Sequence, residues 1–218
     1  MSGLLKKVGY YTGPVWEWNL PTGWSCPFAQ ECLVKVDRES GKFDVRKGEY
    51  RCYAASAERF PEVRKSRWAN FELMKSGRIP EIPLKCKAIR IHSSGDFFSQ
   101  AYFDLWLQIC RSRPDIEFWA YTKSLSYWIA RLDQIPDNLI LTASYGGRQD
   151  DLIEIYDLKN VKVYPSADLV EPGRPIDVND DWARKPKVNF ALLDNMKQGK
   201  KAQKNSVNCE RTANHAES

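Results

Sequence analysis

Two hydrophobic periods alternate along the chain from residue 86 onward. Short β-branched runs such as 87–95 are followed by stretches such as 99–113, in which apolar side chains recur at helical spacing. The same pattern predicts strands at 87–95, 116–124, 138–147, 160–167 and 187–193, and helices at 99–113, 125–135 and 149–158. Strands that alternate with helices across short connections are typical of a parallel sheet with right-handed crossovers.

The amino-terminal part fits the same plan with one long insertion. Residues 6–13 are predicted to form the first strand, and residues 54–77 a long helix with Pro61 early in it and Gly77 as its C-terminal stop. The alternating stretch LVKVDRESGKFDV, 33–45, predicts a β-hairpin in the loop between these two elements.

These elements predict an α/β fold. We expect a partial (β/α) barrel of about five or six mostly parallel strands, with an N-terminal cysteine loop and a β-hairpin insertion. Residues 1–195 are predicted to form a single domain, in which the cysteine loop spans 19–53. The remaining residues, 196–218, are basic and are predicted to form a flexible C-terminal tail.

Composition and charge narrow the function classes. An apolar fraction of 43% in 218 residues is enough for a packed core, and the net charge of +5 is not gathered in the stripe of a dense nucleic-acid binder. Only the lysine-rich segment 195–205 leaves a weak hypothesis of nucleic-acid contact. Neither a signal-peptide pattern nor a run of about 20 apolar residues occurs, so we expect no membrane segment and a cytoplasmic location.

Six cysteines in a cytoplasmic chain are expected to be thiols, metal ligands or catalytic groups rather than disulfides. Cys86 lies at a strand entrance and Cys110 on an apolar helix face, and both are predicted to be buried as small hydrophobic residues. The remaining four are candidate metal ligands: Cys26, Cys32, Cys52 and Cys209.

The spacing of these thiols leaves several kinds of site open. Structural zinc sites usually have four ligands in two closely spaced pairs, whereas here five residues separate Cys26 from Cys32 and nineteen more precede Cys52. Three thiols suffice for a cubane iron–sulfur cluster with one open iron, the kind of site that binds S-adenosylmethionine in radical enzymes. Cys209 would instead close the cluster as a fourth ligand, and reduced, unliganded thiols in a surface loop are the simplest alternative.

Polar and small residues follow the predicted strands, and in parallel sheets these ends form the ligand-binding edge. The predicted catalytic residues are His92, Asp96 and Lys123, and the predicted cofactor-binding residues are Ser93, Ser94, Gly95, Asp96, Tyr121 and Ser144. Structural roles stay open for the first three: a core histidine, the N-cap of the next helix and a solvated lysine. Arg90 is predicted to point to the sheet interior, where it needs an anionic partner such as Asp96 or a ligand.

Four stretches carry a resemblance to a known family: NLPTGWSCPFAQEC, YRCYAASAERF, IRIHSSGDFFSQAYFDLWLQI and FWAYTKS. Together they resemble the phage gene-product-88 family over roughly residues 6–195. The resemblance implies a viral protein in the host cytoplasm, with a cysteine-bound centre in a barrel similar to that of radical enzymes. It leaves the substrate and the reaction open.

The order of elements is also similar to that of the radical S-adenosylmethionine superfamily, in which a cysteine loop follows the first strand. There, a small-small-acidic motif after the second strand holds the cofactor's amino group; here SSGD, 93–96, occupies that place with Asp96 as the acid. The last cysteine precedes an aromatic residue, Tyr53. The cysteine spacing departs from that superfamily, in which it is much tighter.

The leading hypothesis is a phage-encoded iron–sulfur-cluster-binding protein, extending to a radical S-adenosylmethionine-like enzyme that acts on an unknown small-molecule or macromolecular substrate. A 4Fe–4S cluster is favoured over zinc. The alternative is a non-enzymatic protein in which zinc or a cluster staples the long loop, and the basic tail contacts nucleic acid or another phage protein.

Overall fold

The computed structural model describes residues 5–9, 11, 14–45 and 52–194. Its strands are β1 Lys6–Val8, β2 Val15–Trp18, β3 Val34–Val36, β4 Phe43–Val45, β5 Ala88–Ile91, β6 Glu117–Thr122, β7 Leu139–Ser144, β8 Asn160–Tyr164 and β9 Phe190–Leu193. Its α-helices are α1 Pro61–Lys75, α2 Gln100–Ser112, α3 Leu125–Ile129 and α4 Asp151–Ile155. Short 3-10 helices span Tyr53–Arg59, Leu132–Gln134 and Ala167–Leu169.

The main sheet has seven strands in the order β1-β2-β5-β6-β7-β8-β9. All neighbours are parallel except β1 and β2, which are antiparallel. The predicted α/β class with a mostly parallel sheet is therefore confirmed, but the sheet has seven strands rather than five or six. Among the described strands, β1 and β9 form its two open edges.

The predicted first strand at 6–13 is confirmed only over Lys6–Val8, and a second strand, β2, follows it before the cysteine loop. The chain bends at Gly9, and β1 forms an antiparallel pair with β2, in which Val8 lies opposite Val15. Since β2 pairs in parallel with β5, it is β2 that opens the parallel part of the sheet. At three and four residues, these two strands are too short to show a clear hydrophobic period.

All four α-helices pack on one face of the sheet. Buried residues of every helix, among them Leu73, Trp106 and Ile153, form one cluster with strand residues such as Phe118. The opposite face has a separate core, in which Trp119 and other strand residues pack against the segment around Trp182 and Ala183. Right-handed crossovers between strands in sequential order place their helices on the same face, so the topology accounts for this layering.

The predicted helix at 54–77 is two elements. Cys52 precedes a 3-10 helix at Tyr53–Arg59, Phe60 is extended, and α1 then begins at Pro61. A proline fits this first helical position because its missing N–H has no partner within the helix there. The C-terminal stop at Gly77 is confirmed: its φ is +71°, and its N–H donates to the carbonyl of Met74.

The predicted hairpin insertion is confirmed as the separate antiparallel pair β3–β4. Its turn is organised by Asp37, whose Oδ1 accepts bonds from the N–H and the Oγ of Ser40 at 2.7 and 2.6 Å. The other predicted helices are shorter than expected, because 125–135 divides into α3 and a 3-10 helix, and 149–158 contains only α4. In the described parts of the chain, no helix has the length and apolar character needed to span a membrane.

Candidate functional site

A cleft of about 820 Å³ opens at the carboxyl ends of the parallel strands, and we call it the thiol cleft. Every described residue of the predicted site lines it: Cys26, Cys32, Cys52, His92, Ser93, Ser94, Gly95, Asp96, Tyr121, Lys123 and Ser144. The structure thus brings together residues from two loop segments and three strand ends. Cys209 lies outside the described residues, and its predicted role stays a prediction.

The first thiol-bearing segment is packed directly against the end of β5. The N–H of Leu20 donates to the carbonyl of Ser94 at 2.9 Å, and the Oγ of Ser94 donates to the carbonyl of Leu20, also at 2.9 Å. Gly95 has a φ of +90°, and a Cβ placed there would lie 2.6 Å from that of Leu20 and 2.5 Å from the Oγ of Ser25. Gly95 therefore permits the close approach of the cysteine loop.

The stretch between Cys26 and Cys32 is held by backbone hydrogen bonds to the loop that follows β7. The N–H groups of Gln30 and Glu31 donate to the carbonyl of Gly146 at 3.3 and 3.1 Å, and Ala29 forms an antiparallel bridge with Gly147. These contacts are made by backbone groups, so they hold the loop whatever side chains it carries. The part of the cysteine loop between residues 20 and 31 is consequently fixed to the sheet at both of its ends.

A buried ion pair joins the two thiol-bearing segments. Glu58 is fully buried, and its Oε1 accepts the N–H of Thr22 at 2.8 Å and the Nη1 of Arg67 at 2.7 Å. The same Nη1 donates to the carbonyl of Ala54 at 3.0 Å. Thr22 precedes Cys26 by four positions and Ala54 follows Cys52 by two, so the Glu58–Arg67 pair ties both segments to α1.

The three cleft thiols are free, and they oppose one another's ionisation. Burial, then the charges of Asp96, Cys52 and Cys32, raise the pKa of Cys26 well above its ordinary value. Burial and the neighbouring Cys32 raise the pKa of Cys52 to about 11. Burial also raises the pKa of Cys32, while the charge of Lys123 lowers it. A cation bound among the three thiols would offset this effect and favour their thiolate forms.

The two other described cysteines behave as predicted. Cys86 and Cys110 are both fully buried in the helix-side core. Burial raises the pKa of each thiol. They are small hydrophobic residues of the core and lie outside the thiol cleft.

Asp96 joins two strand ends and is not a helix cap. Its Oδ1 accepts the N–H of Phe97 at 2.7 Å and the hydroxyl of Thr122 at 2.6 Å, while its Oδ2 accepts the N–H of Lys123 at 2.8 Å. Burial raises the pKa of this carboxyl to about 6, although these bonds act in the opposite direction. The N-cap of α2 is Ser99, whose Oγ accepts the N–H of Tyr102 at 3.2 Å.

His92 is a buried residue at the edge of the cleft. Its φ is +66°, and its Nε2 lies 2.7 Å from the hydroxyl of Tyr102. The ring packs against Phe97, with centroids 4.8 Å apart. Burial lowers the pKa of the imidazole to about 3, so it is neutral at pH 7. This geometry corresponds to the core-histidine alternative.

The remaining candidates already have protein partners. The hydroxyl of Ser93 donates to Glu17 at 2.5 Å, and the N–H of Ser94 donates to the side chain of Asn19 at 2.9 Å. The Oγ of Ser144 accepts a bond from Lys123 at 2.8 Å. Any ligand of these groups would therefore share bonds that the fold already uses.

Arg90 has the anionic partner it needs, but that partner is neither Asp96 nor a ligand. Its Nη1 lies 3.2 Å from the Oδ2 of Asp180. The same carboxylate also accepts bonds from Tyr11, Trp119 and Tyr121, at 2.8, 3.1 and 2.7 Å. Sequence reasoning missed Asp180, because it lies in a turn-rich segment distant in sequence from β5 and β6.

Fold and site together define an α/β protein with three free thiols at the ligand-binding edge of a mostly parallel sheet. The family described as "Gene product 88" matches residues 2–215, and the chain belongs to this family. The phage relationship predicted from the four sequence stretches is confirmed at this level.

Two curated relatives are similar to the chain, both described as "Gene 88 protein". That of Mycobacterium phage L5 is 28% identical over 179 residues, which cover 74% of this chain and 65% of the relative. That of Mycobacterium phage D29 is 27% identical over 139 residues, which cover 56% of this chain and 48% of the relative. The chain thus spans about half to two thirds of the relatives it matches. No solved structure matches it.

Proposed function

We propose that this protein is a phage-encoded iron–sulfur protein in which Cys26, Cys32 and Cys52 hold a 4Fe–4S cluster, and that it acts as a radical S-adenosylmethionine-like enzyme on a substrate still to be identified. One observation carries the proposal: three free cysteines from two loop segments line a single cleft at the carboxyl ends of parallel strands. In α/β proteins this edge is where ligands bind.

The donor set suits a cluster better than one metal ion. A structural zinc ion needs four ligands within about 2.0–2.3 Å of one point. Among the described residues, no group of three or more His, Cys, Asp and Glu side chains is arranged to hold a metal ion. A cubane cluster is less demanding, since each cysteine binds a different iron and the sulfurs stand around the cluster. The three thiols line one cleft, and this shared position is what supports a cluster.

The fold and the cleft also suit a bound cofactor. When bound, such a cluster would supply an electron to the cofactor. The chain's own contribution would be to place the cofactor's polar groups along SSGD, 93–96, with the Asp96 carboxylate facing an ammonium. Helices on one face and strands in sequential order agree with a partial barrel, and we include that barrel in the proposal.

The ligand assignment is tested by a cysteine series. We expect Cys26→Ser, Cys32→Ser and Cys52→Ser each to lose most of the iron bound after anaerobic reconstitution, because each removes one of three ligands. Cys110→Ala is the matched control: it removes a thiol buried in the core and should keep the wild-type iron content. Full iron content in any of the three cleft variants would remove that residue from the ligand set.

The cofactor assignment is tested at Asp96. We expect Asp96→Asn to keep its iron but to lose the change that S-adenosylmethionine causes in the EPR spectrum of the reduced cluster, because the amide cannot neutralise an ammonium. Asp104→Asn, on α2 and outside the cleft, is the control and should respond as wild type does. An unaltered response in Asp96→Asn would contradict this role.

A second candidate function is the non-enzymatic one. It is favoured by the polar side chains of the cleft, which already form hydrogen bonds within the protein. Ser93, Asp96 and Lys123 all use their polar atoms in contacts within the protein. In that case a zinc ion or cluster would only stabilise the structure of the cysteine loop. Cys26→Ser would then unfold the domain, while Asp96→Asn would have little effect. Contact of the basic tail with nucleic acid or another phage protein stays a prediction, because residues 196–218 lie outside the described part.

A further inference from the structure

A tyrosine and a histidine share a short hydrogen bond beside the thiol cleft. Tyr102 lies on α2 and His92 follows β5, and the phenolic oxygen lies 2.7 Å from Nε2 of the imidazole. The two residues are buried, at 2% and 4% exposure. His92 lines the cleft, whereas Tyr102 belongs to the helix-side core behind it. The bond is therefore closed off from solvent, although it adjoins the cleft.

The phenol is the donor of this bond. Among the described residues, the hydroxyl of Tyr102 has no other acceptor for its proton, and Nδ1 of His92 has no partner. If Nε2 were the donor, the hydroxyl proton and the lone pair of Nδ1 would both be buried without partners. With the phenol as donor, only the N–H at Nδ1 is unpaired. Because buried polar groups are nearly always hydrogen-bonded, the arrangement with fewer unpaired groups is favoured, and Nε2 is a proton acceptor.

The surroundings keep both rings neutral. Burial lowers the pKa of His92 to about 3 and raises that of Tyr102, although the indole groups of Trp106 and Trp18 act on the phenol in the opposite direction. Transfer of the phenolic proton alone would create a buried phenolate and imidazolium, which is costly. Loss of an electron together with this transfer leaves an uncharged phenoxyl radical and one positive charge, which the imidazole can hold. The pair therefore suits oxidation by one electron better than acid–base chemistry.

Packed aromatic rings connect this pair to the protein surface. The outermost ring belongs to Trp24, which is 45% exposed. Ring centroids are separated by 5.8 Å between Trp24 and Trp68, 5.7 Å between Trp68 and Phe71, 4.8 Å between Phe71 and Phe98, and 4.3 Å between Phe98 and Tyr102. Each ring contacts the next, so no solvent gap interrupts the path. An electron can thus leave Tyr102 towards the surface as well as towards the cleft.

We propose that Tyr102 is a redox-active tyrosine with His92 as its proton acceptor. An outer-sphere one-electron oxidant takes one electron from the phenol, the O–H bond breaks, and its proton forms an N–H bond at Nε2 of His92. The products are a neutral tyrosyl radical, an imidazolium and the reduced oxidant. Return of one electron to the radical moves the proton back. This activity goes beyond the proposed function, because it needs no metal in the cleft.

The test is flash photolysis of the full chain without metal, followed by EPR. Photo-excited tris(bipyridine)ruthenium(II), quenched irreversibly by a pentaamminecobalt(III) salt, leaves ruthenium(III) as the oxidant. We expect a long-lived tyrosyl radical in the wild type and the loss of most of that signal in Tyr102→Phe, which removes a single oxygen atom. Tyr127→Phe is the matched control: it removes a phenol from a ring that packs on the same core against Phe28, and it should keep the wild-type yield.

The role of the histidine is tested through its nitrogen atoms. The chain has two histidines, so labelling with the heavy nitrogen isotope in His215→Asn leaves His92 as the one labelled histidine. We expect the spectrum of the radical to show coupling to that nitrogen. Radical formation should slow in heavy water, because the proton moves with the electron, and His92→Asn should lose this isotope effect.

The outcomes separate this inference from the proposed function. An unchanged yield of long-lived radical in Tyr102→Phe would overturn the inference, and so would a wild-type radical without coupling to the labelled nitrogen. If Tyr102→Phe does not fold, the nitrogen coupling decides alone. These measurements involve no metal, so their failure leaves the proposed function standing. A chain that binds no cluster would overturn the proposed function and leave the tyrosine chemistry standing.

Discussion

Replacement of Glu58 by alanine should lower the free energy of unfolding by about 3–5 kcal/mol. The carboxylate is fully buried, so its loss leaves the guanidinium of Arg67 as an uncompensated charge and the N–H of Thr22 without its acceptor. Arg67 is itself buried. Urea denaturation followed by circular dichroism measures the effect.

The matched control for this change is Glu72→Ala on the same helix. Glu72 lies 3.6 Å from Arg38, and both side chains are about half exposed, so we expect a change within about 0.5 kcal/mol. A loss below about 1 kcal/mol for Glu58→Ala would show that the buried pair does not hold the cysteine loop. The measurement is made on the metal-free protein, so that a loss of metal does not add to the difference.

His92 should make the folded state sensitive to acid. Its pKa is about 3 in the folded protein and 6.5 in the unfolded chain, so between these values only the unfolded chain binds the proton. Acidification through this window therefore lowers stability by about 1.4 kcal/mol per pH unit from this residue alone. Asp96 acts in the opposite direction: its pKa rises from 3.8 to about 6 on folding, so it favours the folded state as pH falls through that range.

The contribution of His92 is isolated by comparison with His92→Asn, which cannot take up the proton. Asparagine tolerates the left-handed backbone at this position. We expect the difference in unfolding free energy between wild type and variant to change by about 1.4 kcal/mol per unit between pH 6.5 and pH 3, since the Asp96 contribution cancels. Tyr102→Phe, which keeps the imidazole, should retain the wild-type slope. Parallel pH profiles for wild type and His92→Asn would contradict the burial of a neutral imidazole.

Much of the parallel sheet could be predicted from local sequence. The strands β5 to β9 are marked by short apolar runs, and the hairpin by alternation around a turn-forming Ser-Gly. Candidate residues at the strand ends meet in one cleft because parallel strands bring their carboxyl ends to one edge. The sequence also indicated correctly that Cys86 and Cys110 belong to the core.

Long-range partners could not be predicted in this way. Glu58 follows a helical pattern in which an acidic residue is normally solvated, and its burial depends on Thr22 and Arg67 in other segments. Asp180 accepts four donors from distant parts of the chain, yet it stands in a segment with no hydrophobic period. Asp96 resembled an N-cap because it precedes a helix, but the cap is Ser99 and the carboxylate instead joins β5 to β6.

The central claim is a cluster held by three cleft thiols, and the most direct test is metal analysis of the anaerobically purified protein. Iron, acid-labile sulfide and zinc are measured per chain, together with the visible absorption spectrum. We expect about four irons and four sulfides, with an absorption that dithionite bleaches. Stoichiometric zinc without iron would mean that the thiols are ligands of a structural zinc ion. The absence of any metal would contradict the claim outright.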